Sequence, residues 1–240
     1  MNIIKKILKL KNLRIIIDLE KKLGENRQRN DIVYKYNLNK DQVTRDFILK
    51  RDGEEMKFLD IGGRDGKLTY LLGISGNLRY DSKFYRDNIR IFESKYTYFG
   101  IDIMPTGKNV IQGNICSESF DSDKYKDSFD IIYSNNVFEH LKKPWVAAQH
   151  ITKMLKKGGL TIHIVPFSQR YHEDPGDYFR YTHTGLPSLF DDLEVVLSGY
   201  DILGRRNDWQ GTGKSNDMCP EDRFGAWRET WFTVSVMIKK

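Results

Sequence analysis

Residues 58–67 read Phe-Leu-Asp-Ile-Gly-Gly-Arg-Asp-Gly-Lys, and the rest of the chain is organised around them. An apolar run ends on Asp60, glycines follow, and apolar residues at helical spacing begin at Leu68. This order predicts a strand, a glycine loop and the start of a helix. Glycine allows a backbone to approach a ligand closely, and a helix N-terminus offers unpaired N–H groups and partial positive charge. The segment therefore predicts a binding site for a nucleotide-like ligand.

The composition limits the class of protein. The 240 residues are 39% hydrophobic and 30% charged, which fits one α/β domain with additions, or at most two small domains. Two distant cysteines, Cys116 and Cys219, argue against a disulfide framework or a zinc site. No apolar run is long enough to cross a membrane, and lysines interrupt the apolar N-terminus where a signal peptide would be continuous. The expected location is the cytoplasm.

The net charge of +6 is concentrated near the N-terminus. Residues 1–50 carry thirteen Lys or Arg and six Asp or Glu, so their charge is +7 and that of residues 51–240 is −1. An enzyme that acts on nucleic acid usually has basic residues beside its site, so this distribution argues against a nucleic-acid substrate. It also divides the chain into a basic helical N-terminal extension, residues 1–50, and a nearly neutral domain, residues 51–240.

Residues 3–23 have the pattern of an amphipathic helix, with isoleucine and leucine at roughly helical spacing and lysines between them. Such a helix can rest on an anionic membrane, which would make the protein peripheral to the inner face of the membrane. It can also pack on its own domain or on a partner subunit, as many surface helices do. We favour packing and keep membrane contact as the alternative.

The remaining chain alternates between strand and helix patterns. Strands are predicted at residues 57–61, 96–103, 110–115, 129–134, 160–165, 193–197 and 231–238. Helices are predicted at residues 31–50, 68–72, 144–159 and 184–190, and a helix or a long connection at 78–96. A lid or acceptor wall is predicted at 204–227. The link at 104–109 is too short for a crossover helix. This alternation predicts an α/β fold with a mostly parallel sheet that binds ligands at the carboxyl ends of its strands.

Residues 60–66 (DIGGRDG) resemble the first motif, D-x-G-x-G-x-G, of class I S-adenosylmethionine-dependent methyltransferases. Further agreements follow at the spacing of that family, namely Asp102 at the end of the second strand and residues 113–115, 129–141 and 155–160. The resemblance covers residues 55–200. It implies a Rossmann-like, doubly wound, seven-stranded sheet that is mostly parallel with an antiparallel last strand. It also implies S-adenosylmethionine as cofactor and S-adenosylhomocysteine as product.

The resemblance further implies which residues bind the cofactor. Asp102 matches the acidic residue that binds the ribose hydroxyls, and Asn114 matches the residue that faces the adenine amino group. The implied set is Asp60, Gly62, Gly63, Arg64, Gly66, Asp102, Ile103, Asn114, Ile115 and Asn135. Asp60 as a helix cap and Asp102 as a turn residue are the plain structural alternatives.

Two positions depart from the family pattern. Arg64 replaces the middle glycine of the loop, so either the loop bends differently or the guanidinium reaches a carboxylate of the ligand. Asn114 replaces an aspartate, and its oxygen still accepts a hydrogen bond, but without the help of a charge. Dinucleotide binding, the main competing interpretation, requires G-x-G-x-x-G, and Arg64 breaks that spacing.

Acceptor chemistry is expected after the fourth and fifth strands. Residues 175–182 (PGDYFRYT) resemble a P-G-D-Y-[WF]-R-[FY]-T signature of a bacterial subset of these enzymes associated with glycan and surface-polysaccharide synthesis. That association implies a small polar acceptor, a hydroxyl of a sugar or nucleotide-sugar. The alternatives are a lipid or quinone acceptor at the membrane, and a non-catalytic scaffold that binds the cofactor or nothing.

Transfer to oxygen requires a base whose pKa lies near neutrality, and histidine is the usual choice. His172 ranks first because Glu173 and Asp174 can orient it. His140 ranks second because it follows the fourth strand, where the methyl donor should point, and lies next to Glu139. For each histidine the alternative is a hydrogen-bonded structural role.

Three further polar groups have structural alternatives. Arg180 either grips a phosphate or carboxylate of the acceptor or forms an ion pair with Asp177. His183 is expected to cap or pack near a helix start. Glu139 and His140 are metal ligands by type, but adjacent residues on a helix diverge by about 100°, so they are not expected to share an ion. We predict no metal site.

Overall fold

The computed structural model describes residues 38–65, 83–169, 171–172, 175–201 and 231–240. Three sequence predictions lie outside these residues, namely the amphipathic helix at 3–23, the helix that follows the glycine loop, and the lid at 204–227. No helix among the described residues is long and apolar enough to span a bilayer.

Within the described residues the chain forms three α-helices and seven strands. The helices are α1 (Lys40–Leu49), α2 (Lys83–Glu93) and α3 (Pro144–Met154). The strands are β1 (Met56–Ile61), β2 (Tyr96–Asp102), β3 (Val110–Gln112), β4 (Phe129–Asn135), β5 (Leu155–Ser168), β6 (Leu193–Asp201) and β7 (Trp231–Lys239). Short 3₁₀ helices occur at Asp123–Tyr125, Phe138–His140 and Pro187–Leu189.

The strands form one sheet in the order β3-β2-β1-β4-β5-β7-β6. Strands β1 to β5 pair in parallel, whereas β7 runs antiparallel to both β5 and β6. The predicted Rossmann-like, mostly parallel sheet with an antiparallel last strand is therefore confirmed. The strand order reverses at β1, which has β2 on one side and β4 on the other, so a crevice is expected at the carboxyl ends of these strands.

The central strands are buried on both faces, as parallel strands require. Phe58 of β1 and Ile131 of β4 belong to the core that includes Phe47 of α1 and Phe92 of α2. Their sequence neighbours Leu59 and Ile132 belong to the opposite core, which includes Ala147 and Ile151 of α3. Because side chains alternate along a strand, this continuous apolar sequence covers both faces of the sheet.

Helix α1 is built into this domain. Its N-cap is Asn39, whose side chain accepts a hydrogen bond from the Gln42 N–H at 2.9 Å. The Lys40 N–H donates to Asp201 of β6 at 2.8 Å, and Ile48 is fully buried. Residues 40–49 therefore belong to the same core as the sheet.

Several predicted boundaries were wrong for identifiable reasons. β5 does not stop before Pro166 but continues to Ser168, because β4 ends opposite Ile164 and leaves an open edge where a proline is tolerated. β3 ends at Gln112, since residues 113–115 leave the sheet to line a cavity. Helix α3 ends at Met154, earlier than the predicted 159, and the predicted helix at 184–190 contains only the 3₁₀ turn Pro187–Leu189.

Candidate functional site

A cavity of about 540 Å³ opens beside the carboxyl ends of β1, β2 and β4. Eight of the residues singled out from the sequence line it: Gly62, Arg64, Asp102, Ile103, Asn114, Ile115, Asn135 and His140. Asp60, Gly63, His172 and Arg180 are not among its lining residues. Gly66 lies outside the described residues. The cavity therefore joins the predicted cofactor residues to one of the two candidate bases.

Gly62 is required where the chain leaves β1. Its φ is +81°, and a Cβ there would lie 2.6 Å from Cγ2 of Val137. Its N–H donates to the Ile101 carbonyl at 2.8 Å, which ties the loop to β2. Both the left-handed backbone and the lack of space exclude a side chain at this position.

Arg64 has replaced a glycine without backbone strain. Its φ is not among the positive values found in the described residues. Its carbonyl accepts hydrogen bonds from the N–H groups of Thr106 at 2.8 Å and Gly107 at 3.2 Å, so the loop is tied to the β2–β3 link. The backbone at this position therefore does not need the conformational freedom of glycine.

Asp60 lies beneath the glycine loop and outside the cavity. Its Oδ2 accepts a hydrogen bond from the Tyr98 hydroxyl at 3.1 Å. Burial, with a smaller contribution from the nearby charges of Asp65 and Asp102, raises the pKa of Asp60 to about 7. Gly63 is packed against this pair, because a Cβ on Gly63 would lie 2.8 Å from Asp60 Oδ2.

Asp102 ends β2 at the cavity. Its Oδ1 accepts a hydrogen bond from the Met104 N–H at 2.8 Å. Asp102 therefore acts as a turn residue, the structural alternative given for it above, and this role leaves its other oxygen for a ligand. The next residue, Ile103, is 45% exposed and also lines the cavity. An acidic group and an exposed apolar side chain therefore lie side by side on this wall.

Two asparagines also line the cavity. Oδ1 of Asn114 accepts a hydrogen bond from the Cys116 N–H at 3.1 Å. Ile115 is buried beside it. Asn135, the last residue of β4, has a buried Oδ1 without a hydrogen-bond partner among the described residues. A buried unpaired acceptor is costly, so it marks a place where a ligand could donate a hydrogen bond.

The loop of residues 175–181 is fastened to the 3₁₀ helix Phe138–His140. The Tyr178 N–H donates to the Glu139 carbonyl at 2.7 Å, and the Tyr181 hydroxyl donates to the Phe138 carbonyl at 3.1 Å. Nδ1 of His140 lies 2.5 Å from the Gly176 carbonyl oxygen. A carbonyl can only accept, so Nδ1 of His140 carries the proton and Nε2 has the lone pair.

His172 lies behind His140 as seen from the cavity. The two rings meet edge to face, with centroids 5.0 Å apart. The His172 N–H donates to Asp177 Oδ2 at 2.9 Å, and its Nδ1 lies 3.3 Å from the same oxygen. The orienting carboxylate found here is therefore Asp177, whereas the predicted Glu173 and Asp174 lie outside the described residues.

Arg180 is paired with Asp177. Both carboxylate oxygens of Asp177 accept hydrogen bonds from the guanidinium, and Arg180 Nε donates to the Gln169 carbonyl at 2.9 Å. The hydrogen bond from Arg180 lowers the pKa of Asp177 to about 2. Asp177 is 1% exposed at its side chain. The arrangement corresponds to the loop-shaping alternative stated for Arg180.

Glu139 is fully buried, and neither of its carboxylate oxygens has a hydrogen-bond partner among the described residues. Its Oε1 lies 3.6 Å from Nε2 of His140, and burial raises the pKa of Glu139 to about 7. The premise that the Glu139 and His140 side chains diverge was wrong, because these two atoms approach each other although both residues lie in the 3₁₀ helix Phe138–His140.

Comparison with known proteins decides the family. A family model described as a methyltransferase domain matches residues 34–201. The chain belongs to this methyltransferase family. The enzyme is an S-adenosylmethionine-dependent methyltransferase, and S-adenosylmethionine is its methyl donor.

Solved structures share the methyltransferase's fold at low sequence identity. The [4+2]-cyclase SpnF is 12% identical with a TM-score of 0.54, over 83% of this chain and 81% of that chain. YcgJ from Bacillus subtilis is 15% identical with a TM-score of 0.51, over 83% and 99%. MccD is 12% identical with a TM-score of 0.51, over 83% and 97%. Among curated protein sequences, none matches the methyltransferase.

The cavity of the methyltransferase fits the methyl donor in size and charge. Its volume lies within the range of about 300–1,000 Å³ of sites that enclose small ligands. At Gly62 the main chain itself forms part of the cavity wall, because no side chain covers it. Asn135 offers a buried Oδ1 that has no hydrogen-bond partner among the described residues. The charges of Asp65 and Asp102 act on the Asp60 carboxyl, so this part of the molecule concentrates negative charge, which favours a cationic sulfonium ligand.

Two further histidines, His163 and His183, make hydrogen bonds within the fold and do not line the cavity. His163 of β5 is fully buried, with Nδ1 2.7 Å from the Ser134 hydroxyl and Nε2 2.6 Å from the Thr161 hydroxyl. Burial lowers the pKa of His163 to about 3, so this imidazole is neutral. His183 packs on Tyr200, with the Tyr200 hydroxyl 3.2 Å from its Nδ1, in keeping with its expected packing role.

Proposed function

We propose that this methyltransferase methylates a hydroxyl of a small polar acceptor, a sugar or nucleotide-sugar used in surface-polysaccharide synthesis. The observation that carries the proposal is that one cavity is bounded by the glycine loop on one side and by His140 and the loop of residues 175–181 on the other. The donor supplies an electrophilic methyl group on its sulfonium. The protein's tasks are to position the acceptor oxygen and to remove its proton.

We assign the contacts to S-adenosylmethionine, the methyl donor, from the chemistry of the residues that line its part of the cavity. In our proposal the Asp102 carboxylate accepts hydrogen bonds from the ribose hydroxyls, with Ile103 packing beside it. Oδ1 of Asn114 accepts from the Cys116 N–H and also faces the Cys116 Sγ at 3.0 Å. Because a thiol is a weak donor, the adenine amino group would replace it as the second donor to this oxygen. Gly62 and Arg64 contribute backbone at the loop, and Asn135 accepts from the donor's polar groups.

For the acceptor half we propose His140 as the proton acceptor, ahead of His172. His140 lines the cavity, whereas His172 does not. The hydrogen bond to the Gly176 carbonyl keeps the basic Nε2 of His140 available for a proton. His172 and Glu139 then hold the His140 ring in place. Arg180 acts through Asp177 on the shape of the loop and does not contact the acceptor.

The proposal is tested by offering nucleotide-sugars, free glycans and quinones to the purified enzyme and measuring S-adenosylhomocysteine. Transfer to a sugar hydroxyl is the expected result. His140→Gln should then lower kcat by about 100-fold to 10,000-fold while donor binding, measured by calorimetry, is retained. His183→Gln, a matched change away from the cavity, should leave kcat within about twofold. Transfer to quinones alone, or full activity of His140→Gln, would contradict the proposal.

A further inference from the structure

Three side chains of metal-binding type meet at the wall of the cavity. Glu139, His140 and His172 each offer one ligand atom, and these atoms all lie within 4.8 Å of one another. Glu139 Oε1 and His140 Nε2 are 3.6 Å apart. Ligands bound at about 2.1 Å in a tetrahedron stand about 3.4 Å apart, so the Glu139–His140 pair is already near the separation of two ligands of one ion. No separation within the cluster exceeds that value by more than about 1.4 Å.

The carboxylate of Glu139 is the strongest argument that something binds here. It is fully buried, and among the described residues it has no hydrogen-bond donor. The two charged groups that act on it, Arg180 and Asp177, are hydrogen bonded to each other and oppose one another in their effect. A buried carboxylate left in this condition is destabilising, whereas one bound to a cation is not.

The histidines are oriented as metal ligands usually are. Nδ1 of His140 lies against the Gly176 carbonyl, and Nδ1 of His172 lies 3.3 Å from the Asp177 carboxylate. In metal sites a carbonyl or carboxylate commonly holds the second ring nitrogen in this way and sets the tautomer of the ligand. Both supports come from the loop of residues 175–181, which is docked on the 3₁₀ helix that carries Glu139 and His140.

A proton shared between Glu139 and His140 is the competing explanation for their close approach, and it explains fewer of the contacts than a metal ion does. Burial raises the pKa of Glu139 to about 7, so a protonated Glu139 could face His140. The separation of 3.6 Å is longer than the 2.5–3.2 Å of ordinary hydrogen bonds, and a proton shared by Glu139 and His140 would leave the ligand atom of His172 out of the interaction. A cation satisfies all three groups at once.

We propose that Glu139, His140 and His172 bind a divalent transition-metal ion, and that the ion holds the acceptor's oxygen in the cavity. Two imidazoles and one carboxylate suit Zn²⁺, Mn²⁺ or a similar ion better than Mg²⁺ or Ca²⁺, which prefer oxygen ligands. Three protein ligands leave a position for a further oxygen, and His140 already lines the cavity.

This inference rests on the proposed function and changes how His140 acts in it. With the ion bound, Nε2 of His140 is a ligand, and the ion lowers the pKa of the acceptor hydroxyl. The O–H bond breaks and its proton leaves to water in the cavity. The oxygen then forms a bond to the methyl carbon as the carbon–sulfur bond breaks, and neutral S-adenosylhomocysteine is released.

The site is tested on the full chain after treatment with a chelator. We would measure binding of Zn²⁺, Mn²⁺ and Mg²⁺ by calorimetry and record the visible absorption of added Co²⁺, which reports ligand geometry. One Zn²⁺ per chain, bound at least about 100-fold more tightly than Mg²⁺, is the expected result. Glu139→Gln and His172→Gln should each weaken Zn²⁺ binding by about 100-fold or more and abolish the Co²⁺ bands.

His150→Gln is the matched control, because His150 contacts Ser117 and Ser122 away from the cluster. Its Zn²⁺ affinity should stay within about threefold of the wild type. Absence of Zn²⁺ and Mn²⁺ binding at millimolar concentration, or equal loss in His150→Gln and the cluster variants, would overturn the site. Should the buried Glu139→Gln fail to fold by circular dichroism, the more exposed His172→Gln decides the result.

Methyl transfer in the same samples separates the two proposals. If the chelated enzyme transfers methyl groups at the full rate and binds no ion, the metal inference fails and His140 stands as the base. If one ion binds at the cluster and no sugar is methylated, the metal site stands and the proposed acceptor fails.

Discussion

The Tyr98 hydroxyl on β2 donates a 3.1 Å hydrogen bond to Oδ2 of Asp60 on β1, directly beneath the glycine loop. Burial raises the pKa of Asp60 from 3.8 to about 7, so near neutral pH this carboxyl is partly protonated in the folded state. The unfolded carboxyl ionises near its ordinary value. Between these two pKa values the folded state therefore holds more protons than the unfolded state.

The first prediction is that Asp60 makes the enzyme less stable as pH rises from about 4 to about 7. The penalty is complete above pH 7 and absent below pH 4. Asp60→Asn keeps the size and the hydrogen-bond acceptor but cannot ionise. The difference in free energy of unfolding between wild type and Asp60→Asn, measured by urea denaturation at several pH values, should therefore grow with pH in this window and level off above it.

Tyr98→Phe provides the control for this prediction. The hydrogen bond from Tyr98 favours the ionised form of Asp60, so its removal should shift the transition to higher pH. A difference that does not vary with pH in Asp60→Asn would show that Asp60 ionises normally in the folded protein.

The second prediction separates two costs of a side chain at Gly62. Gly62 and Gly158 have nearly equal φ values, +81° and +76°, but a Cβ at Gly62 would meet Val137 whereas one at Gly158 has nothing within 4 Å. Gly158→Ala should cost about 1 kcal/mol of stability from backbone strain. Gly62→Ala should cost about 1–3 kcal/mol more from overpacking and should also weaken donor binding.

Thermal denaturation and donor calorimetry of the two alanine variants test this comparison. Adding Val137→Ala to Gly62→Ala should recover part of the extra loss, because it removes the atom that collides. Equal destabilisation by both glycine replacements would mean that only φ matters at the loop.

The sequence predicted the sheet well because its information is local. Apolar runs such as those of β1 and β4 are short, continuous and bounded by polar residues, and the family motifs implied a mostly parallel sheet with an antiparallel last strand. The end of β5 could not be predicted in this way. Whether Pro166 breaks the strand depends on the length of its neighbour β4, which is a property of the assembled sheet.

The site was predictable where a motif names a position and unpredictable where contacts are made across the fold. Gly62, Asp102 and Asn114 follow from spacing along the chain. The meeting of Glu139, His140 and His172 does not, because it requires residues 175–181 to dock on a 3₁₀ turn about 40 residues earlier. The carboxylate that supports His172 was accordingly sought in its sequence neighbours and found in Asp177.

The third prediction concerns Asp102, which has a turn role and a proposed ligand role. Asp102→Ala removes both, so we expect donor binding to weaken by about 10-fold to 100-fold, as the loss of a charge-assisted hydrogen bond implies. Asp102→Asn keeps an oxygen that can accept from the Met104 N–H and should preserve the melting temperature while still weakening donor binding. Calorimetry with S-adenosylmethionine measures both. Unchanged affinity in Asp102→Ala would refute the ribose assignment.

The last prediction distinguishes the two roles considered for Arg180. If its guanidinium serves to hold the buried Asp177, Arg180→Gln and Asp177→Asn should each destabilise the enzyme, and the double variant should lose less than the sum of the two. A coupling free energy of about 1–3 kcal/mol is expected from urea denaturation of the four proteins. If Arg180 instead grips a phosphate or carboxylate of the acceptor, Arg180→Gln would raise the acceptor KM while the coupling free energy stays near zero. Because Asp177 also contacts His172, loss of the pair should lower kcat through the loop and leave donor affinity unchanged.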